Sequence, residues 1–200
     1  ARGVFDSIGR LLVVFARLPR IGPEEIGRWI RYEGFEHFAA AKARGRGVLF
    51  ATAHLGNWEL SAFAHALMTE PMHVVARPLD NPLLDRFVER RRTLSGNRVI
   101  GKRDYARPIL AALRRNQAVG ILIDQNTALE QGVFVDFFGV PASTGTGFAR
   151  LAAGRLPAFA ASAIRARTAS AGGAGFVGGW SASNSLNSSA ALLWAALRAA

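Results

Sequence analysis

His54 and Glu59 stand five positions apart in the segment His54-Leu55-Gly56-Asn57-Trp58-Glu59. An apolar run, Gly47-Val48-Leu49-Phe50-Ala51-Thr52-Ala53, ends immediately before the histidine. A strand stopping there would leave an imidazole at the rim of a sheet, with a carboxylate in the first turn of the next helix. A carboxylate bonded to one ring nitrogen fixes the tautomer and leaves the other nitrogen free to take a proton. His54 and Glu59 are therefore candidates for a general base that activates a hydroxyl nucleophile. The structural alternative is a satisfied, partly buried histidine beside an ordinary helix-start carboxylate.

Two further groups could take part. Asp124, followed by Gln125 and Asn126, ends the apolar run Ile121-Leu122-Ile123. A carboxylate at a strand end can orient a substrate hydroxyl, hold a basic side chain or cap the next turn. Arg86, Arg90, Arg91, Arg92, Arg98, Lys102 and Arg103 crowd one region, where Glu89 is the only acid. Such crowding is either a solvated face or a site for phosphate or an acidic protein, to which arginine's fork geometry is suited. His37, His65 and His73 are scattered and are expected to be structural or exposed.

Other chemistries find little support. There is no HExxH and no second histidine at ligand spacing, so no metal site is expected. The absence of cysteine excludes thiolate nucleophiles, disulfides and Cys-based zinc sites. Gly145-Thr146-Gly147 resembles half of a phosphate-binding turn, but Arg150 stands where a dinucleotide fingerprint needs Gly. Neither a GxSxG elbow nor a Walker A sequence occurs.

The elements that must position these residues can be read from the apolar periodicity and the breaks. Val4, Phe5, Ile8, Leu11, Leu12, Phe15 and Leu18 recur at helical spacing, with Arg2, Arg10, Arg17 and Arg20 between them. Residues 1–22 therefore read as a basic amphipathic helix, which can lie in a membrane interface or pack on the domain's own core. Pro23-Glu24-Glu25 opens a helix expected to reach 43 and to carry Trp29, Ile30, Phe35 and Phe38 inward. Strands are expected at 48–53, 72–76, 98–100 and 119–123, with helices at 57–68, 81–94 and 105–115 between them. A polar loop, a helix at 144–153 capped by Ser143 or Thr144, and a further strand at 156–164 complete the pattern. Strands alternating with helices predict an α/β fold with a mostly parallel sheet flanked by helices. Sites in such sheets lie at the carboxyl ends of the strands, where His54, Arg77 and Asp124 all fall.

Composition narrows the partners. The chain has 200 residues, with 25 Lys and Arg against 14 Asp and Glu, a net charge of +11. That excess favours a polyanionic partner: nucleic acid, an anionic membrane surface or an acidic carrier protein. Aromatics are not interleaved with the basic cluster, so a nucleic-acid stacking platform is not expected. No apolar run approaches the ~18 residues that would span a bilayer. From Phe137 onward there is no Asp, Glu or Lys, and 166–200 is an Ala/Ser/Gly-rich tail without clear periodicity. The expected organisation is a membrane-associating helical segment at 1–22, an α/β domain at 23–165 and the poorly specified tail.

Four ordered blocks carry a resemblance: His54-Leu55-Gly56-Asn57-Trp58-Glu59, an HxxxxE motif; Arg77-Pro78-Leu79-Asp80-Asn81-Pro82-Leu83; Gly120-Ile121-Leu122-Ile123-Asp124-Gln125; and Gly132-Val133-Phe134-Val135-Asp136-Phe137-Phe138-Gly139-Val140-Pro141-Ala142. Together they resemble the bacterial lipid A biosynthesis acyltransferases, the late lauroyl/myristoyl type of the lysophospholipid acyltransferase superfamily. The resemblance covers about residues 5 to 160. It implies a glycerolipid-acyltransferase-like fold and transfer of a fatty acyl group from an acyl carrier protein thioester to a hydroxyl of a lipid A precursor. His54 matches the catalytic base and Glu59 its carboxylate partner, while Asn57, Arg77, Arg92, Asp124 and Gln125 match positions expected to bind substrate. Backbone N–H groups near Gly56 and Asn57 would serve the oxyanion. Neither cofactor nor metal is implied. The expected partners are the carrier protein or acyl-CoA as donor, a lipid acceptor and an anionic membrane surface, with no nucleic acid. The expected location is the cytoplasmic face of the bacterial inner membrane. The alternatives are an acyl-CoA-dependent enzyme with another phospholipid or glycolipid acceptor, and a non-catalytic basic membrane-binding module.

Overall fold

The computed structural model describes residues 2–102, 105–137, 139–153 and 164–166. The chain opens with helix α1 (Arg2–Arg17), a 3-10 turn (Leu18–Arg20) and a short helix α2 (Ile26–Trp29) that runs into strand β1 (Ile30–Tyr32). After helix α3 (Phe35–Ala43), strands and helices alternate: β2 (Val48–Thr52), α4 (Trp58–Met68), β3 (Met72–Ala76), α5 (Pro82–Thr93), β4 (Arg98–Gly101), α6 (Ala106–Arg114) and β5 (Ala118–Leu122). A hairpin of β6 (Gly132–Phe137) and β7 (Val140–Gly145), helix α7 (Gly147–Ala153) and strand β8 (Ile164–Ala166) follow.

The sheet is parallel, in the order β2-β5-β3-β4. Strand β5, last of the four in sequence, lies between β2 and β3. Its register sets Thr52 opposite Leu122. Burial on both faces explains the continuous apolar runs. Along β2, Val48 and Phe50 join Phe38, Ala41 and Met72 in one apolar cluster. Leu49, between them, joins Ile109, Leu113 and Val119 in another. This period-2 division covers one face with α3 and the other with α6 and α7.

A third cluster unites Val14, Phe15, Leu18, Ile21, Ile26 and Ile30 with Leu60, Phe63 and Ala64 of α4. The single apolar stripe expected on the first helix is thereby divided. Leu11, Val14 and Phe15 turn inward, while Val4, Phe5, Ile8, Leu12 and Val13 remain exposed. Among the described residues no helix is long and apolar enough to cross a membrane.

Three expectations need correction. The helix predicted for 23–43 is broken into α2, β1 and α3. Gly34 takes a left-handed φ of +77° ahead of α3, and Ile30–Tyr32 pairs antiparallel with Ile164–Ala166, a partner too distant in sequence to anticipate. In consequence Ile30 and Phe38 are buried, but Phe35 is 47% exposed. The loop predicted after Asp124 contains the β6–β7 hairpin, and Thr144 belongs to β7, not to the helix cap. Of the strand expected at 156–164, all but the last residue lies outside the described residues, as do 167–200 of the tail.

His65 is the most buried polar residue among the described residues, at 1% exposure. It sits against the rings of Phe38 and Phe50, at centroid distances of 4.9 and 5.1 Å. Thr69 donates its hydroxyl hydrogen to the His65 carbonyl at 2.6 Å, so its oxygen accepts from Nε2–H at 3.1 Å. Nδ1 then accepts from the Tyr32 hydroxyl at 3.2 Å. The ring is satisfied as a neutral imidazole. Burial first, and the charge of Lys42 second, lower its pKa from 6.5 to about 4.

The sign follows from linkage: as pH falls, the unfolded chain takes up this proton before the folded chain does. His65's contribution is therefore complete above pH 6.5 and is lost as pH falls through 4. The shift corresponds to roughly 3 kcal/mol. Urea denaturation of wild type and His65→Asn between pH 7 and pH 4 measures it. The stability gap between the two proteins should narrow on acidification, and a gap independent of pH would refute the assignment.

Candidate functional site

Parallel pairing fixes which strand-end residues meet. Thr52 faces Leu122, and the Ile123 amide extends the pairing by donating to the Thr52 carbonyl at 2.9 Å. Two residues past each strand stand His54 and Asp124. There the Asp124 carboxylate takes over from the ladder. Its Oδ2 accepts the His54 backbone N–H at 2.8 Å, and its Oδ1 accepts from ring Nδ1, also at 2.8 Å. Both side chains are one-third exposed. With Nδ1–H committed to the carboxylate, Nε2 is the nitrogen that lacks a proton in the neutral ring. Nε2 has no protein partner among the described residues.

The partner of His54 is thus Asp124, and the expected His54–Glu59 dyad is corrected. Glu59, in the first turn of α4, is engaged from the other side by Arg92 of α5. Arg92 Nη2 donates to Oε1 at 2.6 Å and Nε donates to Oε2 at 3.1 Å. The pair is largely withdrawn from solvent, with side-chain exposures of 23% for Arg92 and 12% for Glu59. The physical reason is direction: Glu59 points along α4 toward α5, whereas the sheet order brings Asp124 alongside His54. The two ion pairs hold the ends of one six-residue segment.

Between those ends the chain turns at Gly56, whose φ of +62° lies in the left-handed region. Asn57 then caps α4, its Oδ1 accepting the Leu60 N–H at 3.0 Å. Its Nδ2 is buried and has no protein partner among the described residues. The cap occupies the Leu60 amide. The Trp58 and Glu59 amides, at the start of the helix, keep no hydrogen-bond acceptor among the described residues.

Of the remaining sequence-predicted residues, Arg77 and Gln125 lie at the same edge, and most of the basic cluster lies elsewhere. Arg77 follows the end of β3, the next strand beyond β5, and is exposed, with Nη2 3.4 Å from Asp80 Oδ1. Gln125 is exposed directly after Asp124. Arg86 and Arg90 are exposed on α5. Arg91 turns toward α1, donating to the Ala16 carbonyl at 3.4 Å and lying 4.9 Å from the Phe87 ring centroid. Arg98 starts β4 and so lies at the opposite edge of the sheet from His54. Arg103 lies outside the described residues. Sequence reasoning did not single out Trp58, whose indole packs on the His54 ring; its position inside the His54–Glu59 segment was the available signal.

Comparison with known proteins matches residues 1–165 to a family described as bacterial lipid A biosynthesis acyltransferase. A lipid A biosynthesis acyltransferase of Haemophilus influenzae is 31% identical over 121 residues, 60% of this chain and 37% of the relative. A lipid A biosynthesis lauroyltransferase of Escherichia coli is 32% identical over 144 residues, covering 72% of this chain and 46% of the relative. A phosphatidylinositol mannoside acyltransferase of Mycobacterium tuberculosis is 32% identical over 156 residues, covering 74% of this chain and 48% of the relative. The chain spans about half the length, or less, of these curated relatives.

The Glu59–Arg92 pairing makes a stability prediction. Removing either partner leaves a mostly buried charge uncompensated, so Glu59→Ala and Arg92→Ala should each cost about 3 kcal/mol. The double variant should cost less than the sum by at least about 1 kcal/mol. Chemical denaturation of the four proteins closes this cycle, and additive losses would show that the two groups do not interact in solution.

Proposed function

We propose a reaction from one premise: this chain belongs to the bacterial lipid A biosynthesis acyltransferase family. The reaction moves a fatty acyl group from a thioester to a hydroxyl of a lipid. The observation that carries it is the His54–Asp124 pair, an imidazole held at Nδ1 by a carboxylate, with Nε2 left without a protein partner among the described residues, at the carboxyl edge of a parallel sheet. Nε2 takes the proton of the acceptor hydroxyl as its oxygen bonds to the thioester carbonyl carbon. The open amides at the start of α4 receive the oxyanion. The C–S bond then breaks, and the imidazolium returns its proton to the leaving thiolate. Asp124 stabilises that imidazolium and preserves the tautomer. Glu59 and Arg92 act one step away, by holding the segment that carries His54.

The donor in this reading is an acyl carrier protein thioester, whose acidity suits a protein of net charge +11. Its acceptor is a lipid A precursor, with exposed Arg77 and Gln125 at the same edge as substrate contacts. A second acceptor class, a mannosylated phosphoinositide, is favoured by one observation: that relative aligns over 74% of this chain, a longer stretch than either lipid A relative cited above. The working position is an anionic membrane surface, at the cytoplasmic face of the inner membrane. Val4, Phe5, Ile8 and Leu12 of α1 are exposed, and so are Leu83, Leu84 and Phe87 of α5. The two helices adjoin through a Phe15–Phe87 ring contact at 6.3 Å. Basic residues on both helices would meet anionic headgroups.

Transfer is measured with a radiolabelled acyl donor and each candidate acceptor. Turnover should fall about 10³-fold in His54→Ala and at least about 10²-fold in Asp124→Asn, with circular dichroism unchanged. Full turnover in either variant would remove that residue from the mechanism. Exchange of the carrier thioester for acyl-CoA distinguishes the donors.

Membrane attachment is tested by co-sedimentation with phosphatidylglycerol vesicles and with neutral phosphatidylcholine vesicles. Binding should be stronger to the anionic vesicles and weaken with salt. The double substitution Phe5→Asp and Ile8→Asp should lower it at least tenfold, since it removes two apolar anchors and adds repulsion. Equal binding of the variant and wild type would refute the α1 surface.

A further inference from the structure

Trp58 is the first residue of α4 and follows His54 by four positions. Its indole meets the imidazole edge to face, with centroids 5.1 Å apart and planes at 70°. Trp58 is only half-buried and belongs to none of the three apolar clusters that build the interior. Its ring contact is with His54, at the carboxyl rim of the sheet.

The two bonds from Asp124 hold His54 at its backbone N–H and at Nδ1. Only one of these restraints grips the ring itself, at Nδ1. The imidazole could still tilt about the Nδ1–carboxylate bond, and such a tilt would swing Nε2, which lies across the ring from the restraint. An aromatic wall against the ring opposes that motion.

We infer that Trp58 is a positioning residue for His54, holding Nε2 on the line along which it takes the acceptor proton. This rests on the reading of His54 as the base. Proton transfer demands close alignment, and a displacement of about 1 Å can cost on the order of 10²-fold in rate. The requirement is for a flat ring at this place rather than for the indole N–H. Phenylalanine should therefore serve in part, and leucine, which fills space without a flat wall, should not.

The experiment compares Trp58→Phe and Trp58→Leu with wild type and His54→Ala. Steady-state acyl transfer and thermal melting are measured, together with the imidazole nitrogen NMR signals of His54. Trp58→Phe should keep kcat within about fivefold of wild type. Trp58→Leu should lose at least about tenfold in kcat with KM within about twofold, as expected when alignment and not binding is lost. The His54 ring signals should broaden or shift in the leucine variant and stay close to wild type in the phenylalanine variant. Wild-type kcat in Trp58→Leu, equal losses in both variants, or a loss confined to KM would overturn the inference. Inactive wild type, or active His54→Ala, would instead refute the base assignment. The NMR comparison would then still decide whether Trp58 orders the ring.

Discussion

One carboxylate with two grips organises this protein's candidate chemistry. Asp124 binds the backbone amide and the ring of His54 at 2.8 Å each. It can do so only because β5 pairs in parallel with β2 and in a register that levels Thr52 with Leu122. Had β3 taken that place at the same level, Pro78 would stand opposite His54, with no carboxylate to hold the ring. The strand order is thus a chemical requirement as well as a packing solution. It is supported from behind by the cluster in which Leu49 and Val119 pack on Ile109 and Leu113.

Much of this was legible in the sequence, because the signals involved are local. The four strands of the parallel sheet appear as short apolar runs, each closed by a break, and His54, Arg77 and Asp124 fall just beyond three of them. The partner of His54 was not legible. Proximity in sequence favoured Glu59, whereas the actual partner stands 70 positions away and is chosen by strand order, which no local pattern encodes. The same limit explains β1. Ile30-Arg31-Tyr32 reads as part of a helix until Ile164–Ala166 pairs with it. The β6–β7 hairpin was hidden differently. Its residues alternate weakly, and its exposed Phe134 and Val140 depart from the inward-apolar rule on which strand reading rests.

The first helix shows how one apolar stripe can satisfy two demands. Read as a sequence, it presents a choice between packing on the core and facing a membrane. In the structure Val14 and Phe15 settle onto α4, Leu11 is buried with them, and Phe5, Ile8 and Leu12 remain outside. The helix is wide enough in its apolar face to do the first without exhausting the second. Helix α5 carries the same tension, since none of its residues is fully buried. It is held to the body by Val88 against the cluster of α1 and α4 and by three further contacts: Arg92 on Glu59, Arg91 on the Ala16 carbonyl, and Phe87 on Phe15.

Glu59 would compete with Asp124 if it were free. Two carboxylates near one imidazole would leave both ring nitrogens open to acidic partners and the tautomer unfixed. The bidentate clamp of Arg92 removes that competition, and being largely desolvated it is hard to exchange. Each charge near the segment thereby has one assigned partner. The segment itself is pinned at His54 to the sheet and at Glu59 to α5, and its bend is concentrated at Gly56. A short loop restrained at both ends loses little further freedom when a substrate arrives, so binding energy is not spent on ordering the base. On this argument the acid five positions from the histidine matters through geometry: it anchors the turn that lets the distant acid and the imidazole meet.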